Sequence, residues 1–216
     1  ASDELRLRIF EQQYEKAKNK EIELTLLIHP QWLVGCPEKD DQGREYGGNL
    51  MNIHGIEHKA LVNFSDVRDP YSIRHLVRGQ DFLFNLAGQT SHMDSMSDPA
   101  TDLKINAEAQ LSILEACRKE NQKIKLVFGS TRQLYGKPQY LPVDEKHPIV
   151  PVDVNGINKL AGEMYHILYN NVYGIRSCAL RLTNTFGPGM RVKDARQTFV
   201  GIWIKNLLEG KPLEVW

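Results

Sequence analysis

The sequence predicts an α/β protein built on a doubly wound parallel sheet. Short apolar, strand-like runs alternate with amphipathic helical stretches along the chain. Strands joined by helical crossovers pair in parallel and carry helices over both faces. Clusters of polar and small residues follow three of the strands, where such sheets bind ligands. These clusters are residues 87–90, 129–131 and 183–184.

Each element is predicted from a local pattern. Residues 2–20 are expected to form a helix, because Ser2 can cap it, acids fill its first turn and apolar side chains share one face. Residues 30–49 are rich in glycine and acids, which is typical of a loop. The predicted strands are residues 22–28, 60–64, 81–86, 124–128 and 177–182, with a further strand starting at 213. The other predicted helices are residues 71–78, 99–120, 155–172 and 198–209, the last ended by Gly-Lys-Pro.

The helix predicted at residues 99–120 has an expected inner face toward the sheet. The residues placed on or near that face are Leu103, Ala107, Leu111, Leu114 and Ala116.

Length and composition limit the classes of function. The 216 residues suit one domain or slightly more, and 41% apolar with 25% charged residues is ordinary for a globular protein. The formal net charge of zero argues against nucleic acid or an anionic membrane as the main partner. No apolar run approaches the roughly 20 residues of a membrane helix, and no signal-peptide pattern starts at Ala1.

The cysteines and histidines indicate neither a disulfide framework nor a metal site. The three cysteines are far apart, and Cys117 and Cys178 lie in apolar contexts that predict reduced core thiols. We therefore expect a cytoplasmic protein. No Cys/His spacing matches a metal site, and the nearby pair His54 and His58 is interpreted as solvated loop histidines.

Two segments carry the strongest functional signal. Residues 155–159 read Asn-Gly-Ile-Asn-Lys, and residues 128–131 read Phe-Gly-Ser-Thr and lead to Tyr135-Gly136. In this order and spacing they resemble the active-site region of the extended short-chain dehydrogenases/reductases, in particular the NAD-dependent nucleotide-sugar epimerase/dehydratase family. The resemblance covers about residues 46–216.

The resemblance implies a Rossmann-like fold, NAD as cofactor and a nucleotide-sugar as substrate. Asp66-Val67 matches the pair that contacts the adenine, and the turn through Leu86, Ala87 and Gly88 matches the one that lies against the cofactor. The other two implied cofactor residues are Asn106, which supports the site, and Lys159, which holds the nicotinamide ribose.

The resemblance also implies residues for catalysis and for substrate binding. Thr131 would polarise the reacting hydroxyl, although a plain strand-end threonine is the alternative. Asn184 would meet the nucleotide diphosphate, and Arg191 lies in a basic stretch that would bind a diphosphate or form a solvated loop. Ser91 and His92 would line a sugar pocket or belong to a capped turn.

Asn155 stands where the family carries its catalytic tyrosine. A phenol beside a lysine can take a proton from a sugar hydroxyl, whereas an amide only hydrogen-bonds. Removing a general base typically lowers a rate by about 10²–10⁴. The phenols of Tyr135 and Tyr165 are expected to be structural, and Glu163 and His166 are expected to be solvated helix residues.

A second departure concerns the ends of the chain. The Gly-x-x-Gly-x-x-Gly loop that seats a pyrophosphate is absent from the 216 residues, and the first glycine is Gly35. We expect residues 1–45 to hold a helix, a strand and a loop that match the family weakly, and residues 46–216 to form its Rossmann-like core, incomplete at the N-terminus. The small substrate domain of relatives is expected to be almost wholly missing.

Two functions remain open at the level of sequence. The first is an enzyme that transiently oxidises the sugar of a nucleotide-sugar with bound NAD. The alternative is a non-catalytic binding module, or a fragment of this fold that has lost NAD binding. In either case the resemblance implies a homodimer or a higher oligomer that associates through helices 99–120 and 155–172.

Overall fold

A computed structural model describes residues 24–28, 60–89, 91–187 and 199–213. The chain divides into two compact units, residues 1–64 and 65–216. The helix predicted at residues 2–20, the loop at 30–49, most of the final strand and Arg191 lie outside the described residues.

The first unit contains a parallel pair of strands. Strand β1 (Leu24–Ile28) pairs with β2 (Ala60–Phe64), in a register that runs from Leu24 opposite Ala60 to Ile28 opposite Phe64. The strands predicted at residues 22–28 and 60–64 are confirmed, and their parallel pairing fits the predicted class of fold.

The second unit is built on a three-stranded parallel sheet. Its strands are β3 (Phe82–Asn85), β4 (Lys125–Thr131) and β5 (Ser177–Leu182), in the order β3-β4-β5. The central strand β4 contributes the fully buried Phe128, as expected for a strand with neighbours on both sides.

Helices connect these strands, as the alternating pattern predicts. Their bounds are α1 (Pro70–Leu76), α2 (His92–Ser97), α3 (Pro99–Leu103), α4 (Ala109–Glu120), α5 (Val154–Tyr173) and α6 (Phe199–Leu208). Helix α2 was not predicted. It begins because the Ser91 side chain accepts a hydrogen bond from the backbone N–H of Asp94, which supplies an N-cap.

The helix predicted at residues 99–120 contains a wide turn. A π-helical segment, Lys104–Glu108, lies between α3 and α4. The side-chain amide of Gln110 donates to the Ile105 carbonyl at 3.1 Å and so satisfies an acceptor in the altered turn. Such wide turns are frequent at functional sites.

The wide turn also decides which residues face the core. Asp102, Asn106 and Gln110 are fully buried, whereas Leu103 is 51% exposed, so the predicted inner position of Leu103 is wrong. The predicted inner positions of Ala107, Leu114 and Ala116 are confirmed, because these residues are buried. The same buried face also carries polar residues four positions apart.

Helix α5 packs closely against the wide turn. A Cβ atom at Gly162 would lie 2.9 Å from the Asn106 carbonyl oxygen, so only glycine permits this approach without a shift. Glu163 and His166 are buried on the same helix, and their expected solvation is therefore wrong. Glu163 is held by Arg181 and Ser130, which accounts for its burial. His166 has one partner, Ser177, and its Nε2 is buried without one among the described residues.

A short 3-10 helix, Arg132–Tyr135, follows β4 and ends at Gly136. Gly136 has a φ of +60°, and a Cβ atom there would overlap the Val150 carbonyl oxygen. Backbone geometry and close approach therefore both require glycine at this turn.

Cys117 is a buried free thiol, as predicted, and burial raises its pKa to about 12. Cys178 is exposed, because it alternates with inward residues on β5, so the expectation of a core thiol is wrong there.

In the described part of the chain, no helix has the length and apolarity needed to cross a bilayer. The same residues contain no group of three or more His, Cys, Asp or Glu placed to hold a metal ion.

Candidate active site

The predicted site residues of the second unit meet at one edge of its sheet. Gly88 follows the carboxyl end of β3, Thr131 ends β4, and Asn155 and Lys159 lie in the first turns of α5. This is the edge at which doubly wound sheets bind ligands. Asp153 caps α5 by accepting the Gly156 N–H at 2.5 Å, which fixes where the helix begins.

The amide of Asn155 is buried and both of its N–H groups are used. Its Nδ2 donates to the Gln89 carbonyl oxygen at 2.6 Å and to Asp102 Oδ2 at 3.0 Å. The other oxygen of Asp102 accepts from Asn158 Nδ2 at 2.8 Å. Asn155 therefore acts as a structural link between α5, helix α3 and the loop after β3, and it has no proton to exchange.

Lys159 is buried at the centre of this arrangement. Its ammonium Nζ donates to the Gly129 carbonyl oxygen at 2.8 Å and lies 5.0 Å from the centre of the Phe128 ring. Burial lowers the pKa of Lys159 to about 8, and the nearby Asp102 carboxylate opposes this shift. The alternative of a solvated helix lysine is therefore wrong.

Gly88 packs closely against two buried polar side chains. A Cβ atom built there would lie 2.7 Å from Lys159 Nζ and 2.8 Å from Asn106 Oδ1. Among the described residues, the buried Asn106 Oδ1 has no hydrogen-bond donor, and neither does the buried Gln89 Oε1. A buried acceptor without a partner is unfavourable by about 1–3 kcal/mol, so Asn106 Oδ1 is a candidate to accept a hydrogen bond from a ligand.

Thr131 begins the 3-10 helix by accepting the Gln133 N–H at 3.2 Å. Behind it, Ser130 Oγ donates to Glu163 at 2.8 Å, and Arg181 Nη1 donates to the Tyr135 hydroxyl at 2.9 Å. Arg181 also pairs with Glu163, and this hydrogen bond raises the pKa of the guanidinium. Tyr135 thus supports the wall of the site, in keeping with its expected structural role.

His166, on α5, packs against β4 and β5 in the same region. Its ring stacks on Phe128 with centroids 4.7 Å apart, and its Nδ1 is 2.6 Å from Ser177 Oγ. Burial lowers the pKa of His166 to about 4, so the imidazole is neutral at physiological pH.

His92 and Asp153 form a hydrogen-bonded dyad at the rim of the site. His92 Nδ1 lies 3.0 Å from Asp153 Oδ2; the His92 side chain is 50% exposed and that of Asp153 is 4% exposed. The N-terminus of α2, where His92 lies, is thereby tied to the N-terminus of α5.

The remaining predicted residues lie around this centre. Val67 is buried and Leu86 is largely exposed. The Asp66 carboxylate accepts from Arg68 Nε at 2.9 Å. The Asn184 side chain is exposed just after β5.

Sequence reasoning missed Asp102 and Asp153, and it included Gln89 only in the polar cluster 87–90 without a partner. An aspartate three residues before Gly156 is a recognisable N-cap signal for α5. Asp102 gave no local signal, because its partner Asn155 is 53 residues away in the chain.

The parallel sheet with its polar edge and buried lysine defines a Rossmann-like protein of the short-chain dehydrogenase/reductase class. The model of the NAD dependent epimerase/dehydratase family matches residues 43–216. The chain belongs to this family.

Individual relatives agree with this assignment. A protein of Methanocaldococcus jannaschii described as "Putative UDP-glucose 4-epimerase" is 34% identical over 162 residues, which cover 74% of this chain and 52% of that protein. The UDP-glucose 4-epimerase of Mycolicibacterium smegmatis is 26% identical over 78% of this chain and 55% of its own length. The chain therefore spans about half the length of the curated relatives it matches.

Solved structures show the same fold. The UDP-glucuronic acid 4-epimerase of Bacillus cereus in complex with NAD matches with a TM-score of 0.64 and 27% identity, over 75% of this chain and 50% of that one. The UDP-N-acetylglucosamine 4-epimerase of Methanobrevibacter ruminantium, in complex with UDP-N-acetylmuramic acid, matches with a TM-score of 0.72, 21% identity and coverage of 88% and 64%. The latter likeness is one of fold.

Proposed function

We propose that this protein is an NAD-dependent enzyme that transiently oxidises a sugar carbon of a nucleotide-sugar, as an epimerase or a dehydratase. The observation that carries the proposal is the close approach of Gly88 to the buried Asn106 and Lys159 side chains. Asn106 Oδ1 is buried without a hydrogen-bond donor among the described residues, and the Lys159 ammonium lies on the same side of Gly88. This donor and acceptor set fits the hydroxyl-rich, polar edge of a dinucleotide.

Each residue has a role that follows from its chemistry. Lys159 and Asn106 would hold NAD, and Gly88 would allow its close approach. When bound, NAD supplies the acceptor and later the donor of a hydride. Thr131 Oγ1, at the end of β4, would hydrogen-bond the reacting hydroxyl, and the exposed Asn184 would meet the nucleotide diphosphate.

Calorimetric titration of the full chain with NAD tests this proposal. We expect saturable binding in the micromolar to millimolar range that is typical of enzyme ligands. Gly88→Val places a branched side chain against Asn106 and Lys159 and should abolish binding, whereas the control Ala100→Val introduces the same residue at an exposed helix position and should not. Absence of binding by the unmodified chain at millimolar NAD would favour the non-catalytic alternative.

We also propose that the protein self-associates through α5. The exposed apolar residues of this helix are Ile157, Met164, Ile167, Leu168 and Val172. A contiguous apolar helix face is characteristic of an interaction surface. Light scattering should give a dimer or a larger species, and Ile167→Glu with Leu168→Glu should convert it to a monomer; a monomeric parent would contradict the proposal.

A further inference from the structure

The proposed function leaves one chemical role without a residue. Oxidation of a sugar hydroxyl requires a group that takes the hydroxyl proton, and an amide at position 155 does not titrate. Both N–H groups of Asn155 are committed to Gln89 and Asp102. Another ionisable group at this edge must therefore serve as base.

Most ionisable side chains of the site are already committed to partners. Asp102 is fully buried, and each of its oxygens accepts an amide N–H. Glu163 is buried and is held by Arg181 and Ser130. Lys159 is buried and donates to the Gly129 carbonyl. None of these three offers an accessible lone pair to a sugar.

His92 differs from them in both exposure and hydrogen bonding. Its Nδ1 lies 3.0 Å from Asp153 Oδ2, and half of its side chain is exposed. A carboxylate can only accept, so Asp153 places the proton on Nδ1 and leaves Nε2 of the neutral ring as a lone-pair acceptor. Within the described part of the chain, Nε2 makes no hydrogen bond. A base oriented by a buried carboxylate is the arrangement used in acid/base catalysis by histidine.

The dyad belongs to the same two segments as the rest of the site. Asp153 precedes Asn155 by two residues and caps α5 with its other oxygen. Gln89, whose carbonyl accepts from Asn155, precedes His92 by three residues. Residues 89–92 are therefore held to the start of α5 at two points, Asp153 and Asn155, and the second of these is the position where the family carries its phenol.

We propose that His92 is the general base of this enzyme in place of the missing tyrosine, and that Asp153 is its positioning residue. The inference rests on the proposed function. Nε2 would take the proton of the sugar hydroxyl, and NAD, when bound, would supply the acceptor for the hydride that leaves the same carbon. The C–O bond becomes a carbonyl, and the imidazolium remains beside the Asp153 carboxylate. In the return step the imidazolium gives the proton back to the alkoxide as hydride returns to carbon.

The test compares His92→Gln with the full unmodified chain, using NAD and three probes: UDP-glucose, UDP-glucuronic acid and UDP-N-acetylglucosamine. We expect His92→Gln to lower turnover by about 10²–10⁴ while affinity for UDP stays unchanged, since a base acts on the chemical step. Added imidazole should restore part of the activity of His92→Ala. The matched control is His75→Gln at an exposed histidine of α1, which should keep the parent rate.

Asp153→Asn probes positioning, because asparagine retains the helix cap. An amide can donate to Nδ1, so the ¹⁵N shifts of His92 should show the ring proton moving from Nδ1 to Nε2, together with loss of turnover. An unchanged tautomer would overturn the role of Asp153.

A readout independent of turnover is the reaction of His92 with diethyl pyrocarbonate, followed by mass spectrometry. Bound UDP-sugar should slow this reaction at His92 and leave His75 unaffected. Equal reaction rates at His92 with and without the UDP-sugar would overturn the inference. So would a His92→Gln variant that turns over at the parent rate, a result that leaves the proposed function intact. A parent that neither binds NAD nor converts any probe overturns both.

Discussion

Replacing the buried ammonium of Lys159 should make stability depend on pH in a defined direction. Lys159 is only 6% exposed, and this burial lowers the pKa of its ammonium from the ordinary 10.5 to about 8. Between these values the unfolded chain binds more protons than the folded one. The free energy of unfolding of the parent therefore rises as pH increases from about 8 to about 10.5, and the charged lysine is unfavourable at pH 7.

The size of this change in the free energy of unfolding follows from the pKa shift of Lys159. About 2.5 pKa units at about 1.36 kcal/mol each give roughly 3 kcal/mol. Lys159→Met removes the titration and also leaves the Gly129 carbonyl without its donor, a loss that is independent of pH and about 1–3 kcal/mol. The stability of the variant relative to the parent should thus fall by about 3 kcal/mol between pH 7 and pH 10.5.

Urea unfolding followed by circular dichroism at pH 7, 8, 9 and 10 measures this difference. Groups shared by both proteins cancel in the comparison. The control Lys123→Met removes an exposed ammonium. It shows how much the free energy of unfolding changes when a positive charge is lost at a solvated position. A difference between Lys159→Met and parent that stays constant across the series would refute the reasoning.

Three further predictions concern stability. Glu163→Leu should lower the free energy of unfolding, measured by thermal unfolding, by about 3–5 kcal/mol, because Arg181 is left as an uncompensated, largely buried charge. A decrease of less than about 1 kcal/mol would contradict this. Gly136→Ala should lower the midpoint temperature of unfolding more than the control Gly79→Ala does. Both glycines have a positive φ, but only a Cβ at Gly136 would meet a backbone carbonyl oxygen. Equal midpoints for the two variants would argue against that contact. Asn155→Tyr should lower the free energy of unfolding by about 1–3 kcal/mol, because the larger side chain overpacks a buried position. The same variant should not by itself give robust turnover. Conversion of a nucleotide-sugar by this single variant would show that second expectation wrong.

The sequence determined the class of fold and most of the elements. The strands at residues 60–64 and 177–182 have the predicted bounds. Alternation of strand and helix dictates parallel pairing, because only long crossovers connect parallel neighbours. The motif around residues 155–159 likewise identified the family, because its spacing is read directly from the chain.

Only the tertiary structure decided which polar groups are buried together. Apolar periodicity placed Leu103 inward, but the wide turn at Lys104–Glu108 turned Asp102 inward instead. Glu163 looked like a solvated residue until its pairing with Arg181, 18 residues away, accounted for its burial. Local patterns carry no information about such partners, since hydrogen bonds between distant segments exist only after the helices pack.

The sequence alone thus predicted that Asn155 replaces a phenol, and the residue type by itself means that this side chain does not titrate. That its amide is held by Asp102, and that His92 meets Asp153 at the same edge, depended on the packing of helices α2, α3 and α5. A residue's chemistry is fixed by its type, whereas its access to solvent and its partners are fixed by the surroundings that folding creates.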